Sequence, residues 1–275
     1  MRLRDSLSYV FSSIASVFLI SMLFNITITF AQFLQIITVM TLFSLYSFCS
    51  NNLFDKEIDK VNPIKKNKNP YSSGEISKKG IILINAFLLI SMFLLTYLWF
   101  PNTLLFLFLF TVNVTLYSRY FKRLPIIDLV SHFIWIFSFF LFPALIMGLP
   151  LNIIPIFAIA FLGISNHNEL DGNQLPDLES DRKAGIRSTS VFFGKRVARI
   201  ISYASIFLFI VAIICVILIT NFSIIRNYSF MLIAPLFGLS LVREIKPDFL
   251  GSNYGKVYLA YFIFFIMFSS ATLFY

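Results

Sequence analysis

Two segments of this 275-residue chain carry one pattern. The first is Asn51-x-x-x-Asp55-x-x-x-Asp59, within NNLFDKEIDK, and the second is Asn173-x-x-x-Asp177-x-x-x-Asp181, within NQLPDLESDR. Residues four and eight apart share one face of a helix, and like charges at that spacing destabilise a bare helix. A solvated helix end accounts for one such segment as well as function does; two on one side of the molecule favour function. Mg²⁺ takes oxygen ligands and is typically held by one or two carboxylates plus substrate phosphates. Two facing clusters of this kind suit a diphosphate bridged by Mg²⁺. Asparagine adds a ligand or a hydrogen bond without adding charge. Lys56, Lys60, Arg182 and Lys183 flank the motifs, and such cations grip phosphate oxygens. Each taken singly fits membrane-surface charge equally well.

The elements that must position these groups are apolar helices. The chain is 58% hydrophobic and 13% charged, with a mean hydropathy of +0.84. Soluble domains carry roughly 25% charged residues. Long uncharged runs, continuous rather than alternating, point to an all-α polytopic membrane protein and exclude barrel strands. Nine candidate helices lie at about 8–27, 30–50, 80–100, 102–118, 126–148, 152–169, 197–220, 228–243 and 257–275. The basic N-terminus lacks a small-residue cleavage site and reads as the first span. With that end in the cytoplasm, all but Arg226 of the 22 Lys and Arg fall on the inner side, as the positive-inside rule requires. All 13 Asp and Glu fall there too. Apart from His132, no ionisable residue sits well inside a span, which counts against a proton-coupled transporter. Cys49 and Cys215 fall in spans and imply neither a disulfide nor a metal site.

The two motifs occupy the long inner segments 51–79 and 170–196, each after an even-numbered span. Loops of that length are usually functional. An even number of crossings lies between the motifs, so both return to one face. The chain therefore reads as a single membrane domain, 1–275, with a parallel pseudo-repeat of 1–118 and 126–243 and a ninth helix at 257–275. Shared function accounts for the repeated pattern as well as duplication does. A diphosphate at the inner interface, beside apolar helices, implies an isoprenoid tail lying between them. Aromatic faces stabilise an allylic cation, although most of the 35 Phe and 12 Tyr must face lipid or pack between helices.

The first motif after the second span, and DLESDRKAGIRSTSVFFGKR with Gly194 after the sixth, resemble the UbiA superfamily of intramembrane prenyltransferases. The likeness extends over essentially the whole chain. It implies an all-α bundle in which two Asp-rich motifs bind Mg²⁺ and a polyprenyl diphosphate, and the prenyl group passes to a lipophilic acceptor. Carried onto this sequence, the metal-binding and catalytic carboxylates are Asp55, Asp59, Asp177 and Asp181, with Asn51 as a further metal and substrate ligand and Asn173 as a substrate ligand. The family usually has Asn-Asp where this chain has Asn51-Asn52. YSRYFKRLP resembles the family's tyrosine-then-basic element, which implies Tyr117 and Lys122 near the diphosphate, with Arg119 and Arg123 as rivals. An interfacial tyrosine with positive-inside charges explains that segment equally. NPYSSGEIS takes the place of a Pro-x-x-Ser-Gly element. Ser73 and Gly74 there either meet phosphate or form a simple turn. Asp128 and His132, four apart, read as a helix-start acid and a bonded histidine, or as a base or acceptor contact. His167 and Glu169 are candidates for the acceptor side.

The acceptor is less defined. NP-x-KK after Asp59 and D-R-x-A-G-I-x-S-T-x-x-x-F-G look like the carotenoid-elongating branch, whose acceptor is a polyene such as lycopene. A quinone precursor, an aromatic acid or naphthoate, suits the apolar spans nearly as well. A transporter or binder of a lipid diphosphate would use the same clusters without releasing diphosphate. Asp171-Gly172 lacks the following Ala-Arg of CDP-alcohol phosphotransferases, which counts against that family. Asn221-Phe-Ser is a chance glycosylation match.

Overall fold

The computed structural model describes residues 3–61, 66–67, 69–183 and 185–219, and every regular element in them is helical. The order is α1 (Leu3–Phe24), α2 (Phe30–Phe54), α3 (Lys56–Val61), α4 (Pro70–Ser73), α5 (Lys78–Trp99), α6 (Leu104–Arg119), α7 (Ile127–Ile146), α8 (Ile154–His167), α9 (Leu175–Lys183) and α10 (Thr189–Ile219). A π-helical segment, Asn168–Gln174, joins α8 to α9. Short 3₁₀ turns, Pro101–Thr103 and Phe121–Arg123, flank α6. The expected helices 228–243 and 257–275, Arg226, Asn221 and the end of the second pseudo-repeat lie outside the described residues. The chain divides into two compact units, Met1–Val17 with Ile28–Ile213, and Phe18–Thr27 with Ile214–Tyr275. All the candidate site residues belong to the first.

Local chemistry sets the helix ends. Thr29 and Gln32 form a reciprocal capping box that starts α2. Ser77 caps α5 through Gly80 N–H. At 25 residues α2 is about 37 Å long, enough to cross a hydrocarbon core of about 30 Å. Among the described residues, five segments can span a membrane by length and composition: Phe30–Phe54, Lys78–Trp99, Pro101–Arg119, Ile127–Ile146 and Thr189–Val216.

Burial is arranged for lipid. On α5, Leu83, Phe87, Ile90 and Leu94 are between 53% and 69% exposed and recur at helical spacing. In water that stripe would be an aggregation surface; facing acyl chains it costs nothing. Polar side chains point inward and join helices instead. Asn113 Nδ2 donates to Ser131 O at 2.9 Å while Ser131 Oγ donates to Asn113 Oδ1 at 2.8 Å, tying α6 to α7. Tyr46 and Thr115 hydroxyls meet at 2.9 Å between α2 and α6. Gly163 lets α8 approach α10 closely: a Cβ there would stand 2.5 Å from Ser205 O. Small residues and buried hydrogen bonds are the means by which helices associate in lipid, where apolar burial gives no net gain.

The described residues of the segments 51–79 and 170–196 form regular elements rather than plain loops. The first contains α3 and α4, and the second contains the π-helical turn and α9. The last described helix also begins earlier than the expected 197, at Thr189, and is broken at Gly194, where φ is +81°. Apolar periodicity locates spans but is blind to short polar helices, which hydrogen bonds and tertiary contacts hold in place.

Candidate active site

The first motif straddles a break. Phe54 ends α2, and Asp55 is its C-terminal cap with φ −92° and ψ 5°. Helical hydrogen bonding persists across it: Asp55 N–H donates to Asn51 O at 2.9 Å, and Asp59 N–H to Asp55 O at 2.8 Å. The expected face of Asn51, Asp55 and Asp59 is therefore kept. Asp55 and Asp59 are buried, at 9% and 2% exposure, whereas Glu57 and Lys60 are exposed. Unpaired carboxylates are costly in such a place. Lys122, from the turn after α6, forms an ion pair with Asp55 Oδ1. Asp59 Oδ2 accepts from Asn69 Nδ2 at 2.9 Å.

Asn69, which sequence reasoning missed, is a buried partner of the first motif. Its Nδ2 also donates to Asn52 O at 3.0 Å, and its Oδ1 caps α4 by accepting from Tyr71 and Ser72 N–H. An Asn followed by Pro at the first helical position is a readable cap signal. One fully buried side chain thus anchors the NPYSSG segment to the first motif. Ser72 Oγ adds a bond to Lys56 O at 2.8 Å. Ser73 and Gly74 behave as a turn: Ser73 Oγ bonds Pro70 O and Glu75, and Gly74 has φ +88°. Lys56 Nζ lies 4.3 Å from the centre of the Tyr71 ring. Asn52 is buried, and its Oδ1 has no hydrogen-bond partner among the described residues.

The second motif is built differently. Asn173 lies in the π-helical turn, whose i→i+5 bonding makes four residues fall short of a full turn. Asp177 and Asp181 lie in α9 and are half-buried. The simple stacked face expected for all three therefore does not carry through. Asn173 Nδ2 donates to Glu169 Oε2 at 2.8 Å. Arg182 is exposed, 3.6 Å from Glu179, and Lys183 is exposed too. Among the described residues, no three His, Cys, Asp or Glu side chains form a ready-made metal cage. The motifs present oxygen donors only, the chemistry a hard divalent cation takes when substrate phosphates complete its shell. The orphaned, buried Asn52 Oδ1, in the turn before Asp55, fits that donor set.

Beneath the second motif lies a buried polar network. Glu169 Oε1 accepts from Tyr117 Oη at 3.0 Å and from Gln174 Nε2 at 3.2 Å. His132 Nε2 stands 3.4 Å from Glu169 Oε2, and His132 Nδ1 pairs with Ser165 Oγ at 2.9 Å. Asp128 takes the structural reading. It accepts from Thr189 N–H at 2.7 Å, Thr189 Oγ1 at 2.5 Å and Gln174 Nε2 at 2.8 Å, clamping α7, the π-helical turn and the start of α10 together. His167 is tied to Ser202 Oγ at 2.7 Å and lies 3.3 Å from Asp171. It fastens α8 to α10.

The basic residues of YSRYFKRLP separate. Lys122 reaches Asp55, while the Arg119 guanidinium lies 5.9 Å from the Phe54 ring centre and 5.0 Å from that of Tyr120. Arg119 and Arg123 line a surface cavity of about 520 Å³ with Phe54, Tyr120 and Leu124.

The fold has counterparts among solved structures. The apo structure of a UbiA homologue from Aeropyrum pernix K1 is 17% identical, with a TM-score of 0.73, over 96% of this chain and 97% of its own. A UbiA homologue from Archaeoglobus fulgidus, solved bound to GPP and Mg²⁺, is 18% identical over 98% and 97%, with a TM-score of 0.70. A digeranylgeranylglyceryl phosphate synthase is 22% identical over 98% and 95%, with a TM-score of 0.62. At such identities the likeness is one of fold. Among curated proteins none matches. The family model of the UbiA prenyltransferases, however, matches residues 10–272, and this chain belongs to the UbiA prenyltransferase family.

Proposed function

We propose that this protein transfers a prenyl group from a polyprenyl diphosphate to a lipophilic acceptor within the membrane, with Mg²⁺ as cofactor. The observation that carries this reading is the first motif. Two buried carboxylates, one paired with Lys122 and one held by Asn69, sit at the end of an apolar helix. A purely structural bundle has no use for them there. A relative of the same fold was solved with GPP and Mg²⁺, which supports the same donor class here.

Asp55, Asp59, Asp177 and Asp181, with Asn51, are the residues that would hold the metal. When bound, Mg²⁺ supplies positive charge that offsets the charge developing on a departing diphosphate. Lys122 is placed to exchange Asp55 for a phosphate oxygen, and Asn173, Arg182 and Lys183 stand on the second motif's side. Asn69 keeps Asp59 in one orientation. The apolar faces between helices suit the isoprenoid tail. The positive-inside distribution supports a cytoplasmic N-terminus and cytoplasmic motifs.

For the acceptor, the second-motif text supports a polyene of the carotenoid type ahead of an aromatic quinone precursor. The test uses purified protein with Mg²⁺ and labelled geranylgeranyl diphosphate. Lycopene, a naphthoate and a hydroxybenzoate are offered separately, and diphosphate release and product mass are followed. A C-prenylated lycopene supports the reading in full. A prenylated aromatic acid keeps the class and replaces the acceptor. Mg²⁺-dependent binding with no diphosphate release under any condition moves the protein to a carrier or binder of lipid diphosphates.

A further inference from the structure

The end of α6 and the turn after it send their three cations to two places. Lys122 pairs with Asp55 of the first motif. Arg119 and Arg123 are exposed and line the cavity of about 520 Å³ that they share with Phe54, Tyr120 and Leu124. These residues come from the end of α2, the end of α6 and the turn into α7, so the cavity lies between three helices at the end of the bundle that carries the first motif. Arg119 is held in place there. Its guanidinium is 5.9 Å from the Phe54 ring centre and 5.0 Å from that of Tyr120. An arginine packed on rings keeps its fork of donors free for an anion. Among the described residues neither arginine meets a carboxylate, and no acid lines the cavity. Two such guanidiniums in a cavity of ligand size suit a phosphate. With no facing carboxylate, they leave no counter-charge for the cation of a zwitterionic headgroup.

The apolar surroundings say which phosphate. Leu105, Phe108, Leu109 and Val112 form a stripe along α6 that is between 37% and 64% exposed. Arg119 lies seven positions beyond Val112, on the same face. From Leu105 to Arg119 is about 21 Å of helix, more than the roughly 15 Å of hydrocarbon in one leaflet. Leu124, Ile126 and Ile127 continue the exposed apolar surface on the far side of the cavity. A soluble anion gains nothing from such a stripe, whereas an acyl chain does. Basic pockets between transmembrane helices are also where anionic headgroups bind.

We propose that this cavity seats the phosphate of an anionic membrane phospholipid, with an acyl chain along α6, and that it is a site apart from the diphosphate centre. Arg119 and Arg123 bind the phosphate, and Phe54 and Tyr120 hold Arg119 in position. The inference rests on α6 spanning the membrane and not on prenyl transfer, so the two stand or fall separately.

The test uses the full-length protein in nonionic detergent and native mass spectrometry. Wild type is compared with Arg119→Gln/Arg123→Gln. Lys78→Gln/Lys79→Gln, at two exposed cations that start α5, is the control of equal charge loss. Each is titrated with dioleoyl phosphatidylglycerol, dioleoyl phosphatidylcholine, inorganic phosphate and Mg²⁺-pyrophosphate, and thermal midpoints check folding. Wild type is expected to bind phosphatidylglycerol about tenfold more tightly than phosphatidylcholine. The arginine pair is expected to lose about 30-fold in that affinity, since one hydrogen bond to a charged group is worth roughly tenfold. The lysine control is expected to stay within about threefold, as scattered surface charge does. If the double arginine variant does not fold, Arg123→Gln alone is expected to lose about tenfold. An equal loss in the lysine control would reduce the attraction to net basic charge and overturn the proposal, as would wild-type affinity in the arginine variants. Displacement of phosphatidylglycerol by an equal concentration of inorganic phosphate would make this a free-phosphate site and overturn the lipid assignment. A loss of Mg²⁺-pyrophosphate affinity as large as the loss for lipid would return both arginines to the diphosphate centre and overturn it too.

Discussion

The two Asn-Asp-Asp motifs have the same spacing and different scaffolds. The first continues helical hydrogen bonding through a break at Asp55, and its two carboxylates are buried, each with a partner brought from elsewhere: Lys122 and Asn69. The second begins in a π-helical turn, leaves Asp177 and Asp181 half-buried, and spends its buried hydrogen bonds one layer beneath, on Glu169 and Asp128. A π-helical segment takes more residues per turn and so re-aims the side chains that follow, as such segments do at many functional sites. One pattern thus supports a buried carboxylate pair with partners from other segments and a half-buried pair in a helix that follows a buried polar layer.

This contrast is breakable. The largest expected effect is the one the motifs share. Asp55→Ala and Asp181→Ala should each lower turnover by at least about 10³-fold, on the scale of losing a preorganised charge-stabilising contact, in protein that still elutes as a folded species. Near wild-type turnover in either would remove that motif from the site. Next comes the layer under the second motif. Asp128→Ala strips Thr189 and Gln174 of a charged acceptor and should cost about 2–3 kcal/mol. A lowered thermal midpoint in detergent and faster proteolysis near residues 183–189 would report it, and an unchanged midpoint would mean that the π-helical turn stands without its clamp. Asn69→Ala sharpens the other side. Loss of the α4 cap should cost about 1–2 kcal/mol, and freeing Asp59 should weaken Mg²⁺ dependence more than donor KM. If the metal titration does not move, Asn69 only caps. The smallest effect belongs to the exposed cations: Arg182→Ala, whose pair with Glu179 lies at the surface, should change stability by less than about 1 kcal/mol. A tenfold rise in donor KM there would show that the second motif recruits its surface cations when diphosphate binds.

Much of this was legible in the chain. Thr29 with Gln32 before an apolar run announces the start of α2, and the stretch from Lys78 to Trp99 declares itself as a span by hydropathy. Asp55 and Asp59 were singled out by spacing, and Lys122 by its place after α6. Asn69 was overlooked because its partners, Asp59 and Asn52, lie ten and seventeen positions away, although Asn-Pro is a cap signal. The π-helical turn had no sequence signal, since a π turn and an α turn draw on the same residues. Tyr117 was assigned from resemblance, and the partner that commits its hydrogen, Glu169, is 52 positions away.

The sequence by itself determined that this protein is apolar enough to live in a membrane and that it carries two Asn-Asp-Asp sets. Those are properties of composition and local period, which the solvent reads directly. Only the tertiary structure decided which cation meets Asp55, which amide holds Asp59, and that Glu169 receives the Tyr117 hydroxyl. Each of these is a contact between distant segments, set by how helices pack, and no local periodicity encodes it.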